Sequence, residues 1–207
     1  MTIAVIADEQ LRQEFLLKPM PPTADLVFVA TTEQVPAAAS IVIDLLFTAT
    51  PARINQLQAF LPRPTLVNAV ADTLANIAQP FIRINAWPGF LQRVQLEAAA
   101  LPAQAQQLKD LCTQLGWQYT LVPDLPGMLS ARILACIINE AFFTLADGVS
   151  TKEGIDTAMK LGTNYPYGPF EWSEKIGLEK IHHLLSTLSK ENNLYNPCSL
   201  ISDAIFV

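Results

Sequence analysis

The sequence predicts a mainly parallel α/β sheet domain over residues 1–123, followed by an all-helical domain over residues 124–207. Three observations predict it. Short apolar runs alternate with helix-period segments through the first part, as in strands joined by crossover helices. After Asp124 the texture changes, and helical patterns follow one another without strands. Hydrophobic residues make up 51% of the chain and charged residues only 15%, enough apolar side chain to bury a sizeable core.

The first strand is expected at 3–7, and a helix over 9–17 is stopped by Pro19, Pro21 and Pro22. Residues 25–30 and 40–47 read as the second and third strands. Pro51 suits a first helical turn, and 53–61 follows as helix. A strand at 65–70 and a helix at 72–78 come next, then extended segments at 81–86 and 91–97. A helix over 103–116 stops at Gly116, and 118–122 is the last strand. In the second part a long helix spans 128–147 and ends at Gly148. Ser150 or Thr151 caps the next one, which runs to Leu161 and stops at Gly162. Two further helical patterns lie near 170–175 and 178–190, and the stretch 198–206 packs back on them.

The net charge of -6 argues against nucleic acid or an anionic membrane surface as a partner. No apolar run reaches the roughly 20 residues of a membrane span, and the apolar start meets Asp8 and Glu9 at once, unlike a targeting segment. Cys112, Cys136 and Cys198 are scattered thiols without metal spacing, which fits a reduced, cytoplasmic protein. His182 and His183 are adjacent on a helical pattern. They diverge by about 100° and cannot chelate one metal together, so no metal is expected.

The second part carries a series of short motifs: Asp124-Leu-Pro-Gly127, Asn139-Glu-Ala141, Asp147-Gly-Val149, Ile155-Asp-Thr-Ala-Met-Lys-Leu-Gly162, Gly168-Pro-Phe-Glu171 and Ile176-Gly-Leu178. Singly they are helix stops, caps and loop-fixing prolines. In this order and spacing they resemble the C-terminal domain of 3-hydroxyacyl-CoA dehydrogenases. The resemblance implies a shortened Rossmann-like sheet, with helices lost between Val29 and Ser40. A helical 6-phosphogluconate-dehydrogenase-like domain would follow it. It also implies a homodimer formed through the helical domain, an acyl-CoA ligand and, if the chain is active, NAD.

The residues that the resemblance would make functional are mostly replaced. A dinucleotide turn needs Gly-x-Gly-x-x-Gly so that backbone approaches the pyrophosphate. Here Asp8, Glu9 and Gln10 occupy the turn. The family's catalytic histidine falls on Ile84 or Asn85, depending on register, within Arg83-Ile-Asn-Ala-Trp-Pro88. Neither acts as a base near neutral pH. Its glutamate partner falls on Glu97 or Leu96. The family's asparagine is Ala131, while the neighbouring Arg132 is retained and is expected to pair structurally. The expected function is therefore that of a dehydrogenase-like protein without the usual NAD-dependent catalysis, acting by binding an acyl-CoA or a partner. The alternatives are an active dehydrogenase of fatty-acid metabolism with an altered site using Glu97 and Arg132, and a structural subunit without a small ligand.

Overall fold

A computed structural model describes residues 1–206. The chain divides into two compact units, Met1–Met128 and Leu129–Val207. The expected boundary at 123/124 lies a few residues earlier. Asp124 stays with the first unit because its carboxylate pairs with Arg83 and accepts the Leu74 amide at 3.0 Å.

The first unit is a seven-stranded sheet: β1 (Thr2–Ile6), β2 (Asp25–Val29), β3 (Ile41–Asp44), β4 (Thr65–Val67), β5 (Ile82–Ile84), β6 (Gln95–Ala99) and β7 (Gln118–Leu121). Its order is β2-β1-β3-β4-β5-β6-β7. β1 to β5 are parallel, β6 runs antiparallel to β5, and β7 is parallel to β6. Alternate residues face opposite sides. Ile3, Val5, Ile41 and Ile43 pack with α1 (Glu9–Phe15), supplied by Leu11 and Phe15. The same face holds α4 (Ala105–Leu115), through Leu108, Leu111 and Leu115. Ile6, Val42 and Val67 face the other way, toward α2 (Pro51–Gln58) and α3 (Leu74–Ile77). Burial on both faces is why these strands are nearly continuous in Val, Ile and Leu.

Only β2 lies beyond β1 on its side, where the six-strand order 3-2-1-4-5-6 of dinucleotide folds has two strands. The β2–β3 connection contains a single 3-10 turn, Thr32–Gln34. This is the shortened Rossmann-like sheet. Strand order reverses between β1 and β3, so their carboxyl ends form the switch point where such folds hold a ligand.

The second unit is helical: α5 (Ser130–Ala146), α6 (Lys152–Thr163), α7 (Pro169–Ile176), α8 (Leu178–Ser189) and α9 (Ser199–Phe206). α5 packs on α7, α8 and α9 and supplies Leu134, Ala135, Ile138 and Phe142 to the core. Two sequence expectations shift here. α5 begins at Ser130 rather than 128, because Gly127 and Met128 both take positive φ in a turn. α6 runs through Gly162 to Thr163, and Asn164 (φ 55°) is the left-handed stop. The cap is Thr151, whose hydroxyl accepts the Gly154 amide.

The family-like motifs of this unit are a capping lattice. Asp156, 7% exposed, accepts the Phe170 and Glu171 amides at 2.8 and 3.2 Å and so caps α7 from outside its own helix. A Cβ at Gly168 would lie 2.3 Å from the Asp156 carboxyl carbon, which is why glycine is needed there. Glu171 reaches back to the Gly168 amide at 2.8 Å and also takes the Lys160 ammonium. Asn139 on α5 ties the chain end down. It donates to the Asn196 carbonyl at 2.9 Å and accepts from the Cys198 amide at 2.8 Å.

Candidate functional site

The sheet's carboxyl edge is where this topology would place a ligand. At the end of β1, Asp8 caps α1, its Oδ1 accepting the Leu11 amide at 2.8 Å. Glu9 follows in the first turn. At the end of β3, Asp44 is fully buried and accepts two bonds from Arg53, at 2.7 and 2.9 Å, and one from the Leu46 amide at 3.0 Å. Burial raises the Asp44 carboxyl above its ordinary value, and Arg53 opposes that rise. At the end of β4, Asn68 bridges strand ends, donating to the carbonyls of Leu45 and Ala86 and accepting the Ala86 amide at 3.0 Å.

These residues do not fit a dinucleotide. Its pyrophosphate needs free amides at a helix start and glycine to let backbone approach. Here the start of α1 already holds the Asp8 carboxylate, with Glu9 beside it.

Further along the same edge the register of β5 and β6 settles which residues meet. Arg83 pairs with Ala99 and Ile84 with Ala98, so the next pair is Asn85 and Glu97. The Asn85 amide N–H donates to the Glu97 carbonyl oxygen at 3.0 Å, and Asn85 Nδ2 lies 3.4 Å from Glu97 Oε2. Ile84 points instead into the core with Leu96. Of the candidate positions, the strands bring Asn85 and Glu97 together, while Ile84 and Leu96 lie in the core. Asn85 is buried and Glu97 half-buried. The turn that follows is held from α1, where buried Glu14 accepts the Gly89 amide at 2.7 and 2.9 Å.

In the helical unit, Ala131 is fully buried and offers no polar atom. Arg132 lies over the Tyr195 ring, 5.0 Å from its centroid, and donates to its hydroxyl at 3.1 Å. His182 packs edge-on against Phe206, and among the described residues no group of three metal-binding side chains exists. Sequence reasoning missed Arg83, Asn68, Glu14 and Asp156. Arg83 carried the clearest signal, a charge inside an apolar strand triplet.

Residues 127–205 match the model of the 3-hydroxyacyl-CoA dehydrogenase C-terminal domain. Over those residues the chain is similar to the C-terminal domain of 3-hydroxyacyl-CoA dehydrogenases. The 3-hydroxyadipyl-CoA dehydrogenase of Escherichia coli K12 is 39% identical over 136 residues, covering 63% of this chain and 28% of that protein. The match is longer than the 127–205 segment, so it takes in part of the sheet unit as well. The chain thus spans under a third of this relative's length. A 3-hydroxybutyryl-CoA dehydrogenase structure from E. coli K12 is 34% identical, covers 67% of this chain and 31% of its own, and has a TM-score of 0.57. The (S)-3-hydroxybutyryl-CoA dehydrogenase of Ralstonia eutropha shares the fold over 99% of this chain and 93% of its own, with a TM-score of 0.72 at 19% identity. This 3-hydroxyacyl-CoA dehydrogenase-like chain has no helix, among its described residues, long and apolar enough to cross a membrane.

Proposed function

We propose that this chain is a dehydrogenase-like module that binds an acyl-CoA, or a protein partner, without oxidising it. The observation that carries this reading is the Asn85–Glu97 pair. A carboxamide stands against the glutamate at one of the two positions on which the family's histidine would fall, the other being the apolar Ile84, and an amide takes up no proton near neutral pH. The Asp8 carboxylate at the start of α1 supports the same reading, since it disfavours a second anion there. The reading has the module work in the cytoplasm, in acyl-thioester metabolism, as a homodimer built through the helical unit. Ile133, Phe143, Val149 and Leu161 stand 40–83% exposed on that unit. An apolar hollow of about 410 Å³, lined by Ile137, Ala141, Ile155 and Met159, lies beside Val149. Apolar surface of this kind favours a subunit contact.

A thermal-shift screen tests the ligand. A CoA ester at 100 times its dissociation constant adds about 2.7 kcal/mol, which raises the melting temperature by roughly 5–10 °C. The expected result is a rise with acetoacetyl-CoA and none with NAD. A rise with NAD, or NAD reduction in the presence of a 3-hydroxyacyl-CoA, overturns the reading. No rise with any CoA ester leaves the protein-partner form. Light scattering is expected to give the mass of two chains, and a strict monomer removes the dimer.

A further inference from the structure

β2 closes one side of the sheet, and among the described residues no strand pairs with its far side. In the dinucleotide order 3-2-1-4-5-6 a further strand covers that side, and here the connection that would supply it holds only a 3-10 turn. We propose that a second copy of this chain covers it, β2 against β2, antiparallel about a twofold axis at Val27.

The backbone sets that register. Asp25 N–H donates to the Met1 carbonyl, and the Val29 carbonyl accepts the Ala7 amide. Asp25, Val27 and Val29 therefore turn their peptide groups toward β1, and Leu26 and Phe28 turn theirs outward. The next outward amides are already taken: Ala24 N–H donates to the Pro21 carbonyl and Ala30 N–H to the Gln34 side chain, both at 2.9 Å. An axis at Val27 sets Leu26 opposite the second copy's Phe28 and engages every outward N–H and C=O of these two residues. Centring on Leu26 or on Phe28 would instead set an outward carbonyl against the taken amide of Ala24 or Ala30. The side chains agree. Leu26 and Phe28 lie on the α1 face, where Phe28 meets the Phe15 ring edge-on at 5.9 Å, and the axis sets Leu26 beside Phe28 twice. The strand's one charge, Asp25, falls opposite Val29 and ~13 Å from its own copy, so no like charges meet. Edges left to water are blunted by charges, proline or bulges, and the run Leu26-Val-Phe-Val29 has none of these. The other edge, β7, exposes Gln118 and Thr120 and is followed by Pro123. A contact this short is smaller than a standard interface, so it is weak and grows with concentration. It is separate from the contact proposed through the helical unit.

A cysteine at the axis tests this in the full chain. Residues 27 of the two copies face each other as a non-hydrogen-bonded pair, roughly 4.5 Å apart at Cα and within disulfide reach. Under mild oxidation with diamide, Val27→Cys is expected to give a covalent dimer on a non-reducing gel. Asp25→Cys is more exposed but lies too far from its own copy, so its yield is expected to be several-fold lower. No link from Val27→Cys, or an equal yield from Asp25→Cys, overturns the proposal. Light scattering over a concentration series checks it without oxidation. The unaltered chain is expected to climb toward twice its dilute mass. Val27→Lys and Val27→Glu should each abolish the climb, and mixing them in equal amounts should restore it. A climb unchanged in both variants overturns the β2 contact. A mass of two chains at every concentration does so too, and leaves the helical contact standing. The cysteine pair decides where Val27→Lys or Val27→Glu does not fold.

Discussion

Replacing Arg53 by alanine is expected to cost about 3–5 kcal/mol of folding stability at neutral pH, because it strands the Asp44 carboxylate. Asp44 sits at 0% exposure at the end of β3, and Arg53 supplies two of its three hydrogen bonds. The cost has a pH signature. Burial makes the folded chain hold the Asp44 proton more tightly than the unfolded chain does. The folded state therefore gains relative to the unfolded one at low pH. That gain is lost as pH rises from the unfolded value, near 4, through the raised folded value. Arg53 limits the rise, so its removal widens the window and concentrates the loss at neutral pH. Urea unfolding at pH 7 and pH 4.5 is expected to show a smaller deficit for Arg53→Ala at the lower pH. An equal deficit at both would mean that lost packing, rather than the stranded charge, dominates.

Asp124→Ala is expected to cost a similar amount, about 3–5 kcal/mol, for a different reason. Arg83 is the largest side chain fully out of solvent. Its guanidinium donates to the carbonyls of Ala69, Val70 and Leu125, and its countercharge is Asp124. Burial pulls the Arg83 proton affinity down and Asp124 restores it. Removing Asp124 takes away the carboxylate hydrogen-bonded to the buried guanidinium, leaving Asp72 as a nearby negative charge, and also uncaps α3, whose Leu74 and Ala75 amides it accepts. Chemical denaturation against the unaltered chain checks this. A loss below about 1 kcal/mol would show that water reaches the guanidinium and stands in for the carboxylate.

Both positions bear on how far a sequence can be read. Asp44 and Arg83 stand out as charges inside apolar runs, yet the runs do not name their partners. Arg53 lies in the first turn of α2, nine residues beyond Asp44, and Asp124 lies 41 residues beyond Arg83. The helical unit was far more legible. Its motifs act at short range: Gly168, Pro169 and Glu171 build one cap within four residues, and Thr151 builds another within three. Local spacing and local chemistry coincide there, and the family match falls on the same residues, 127–205. Even so, Gly162 reads as a stop only by residue type. The left-handed turn falls at Asn164, so the helix passes through the glycine.

The sequence by itself determined the succession of an α/β part and a helical part, the family of the second, and the loss of a glycine turn after β1. Each is a matter of residue type and near-neighbour spacing. Only the tertiary structure decided that Asn85 meets Glu97 while Ile84 turns into the core with Leu96. In a strand, successive side chains face opposite sides, so a shift of one residue exchanges core for site. That register is set across the antiparallel β5–β6 pair, through a turn held by Glu14 from α1, and no local pattern encodes it. The pairing puts an amide against a carboxylate at the sheet's edge.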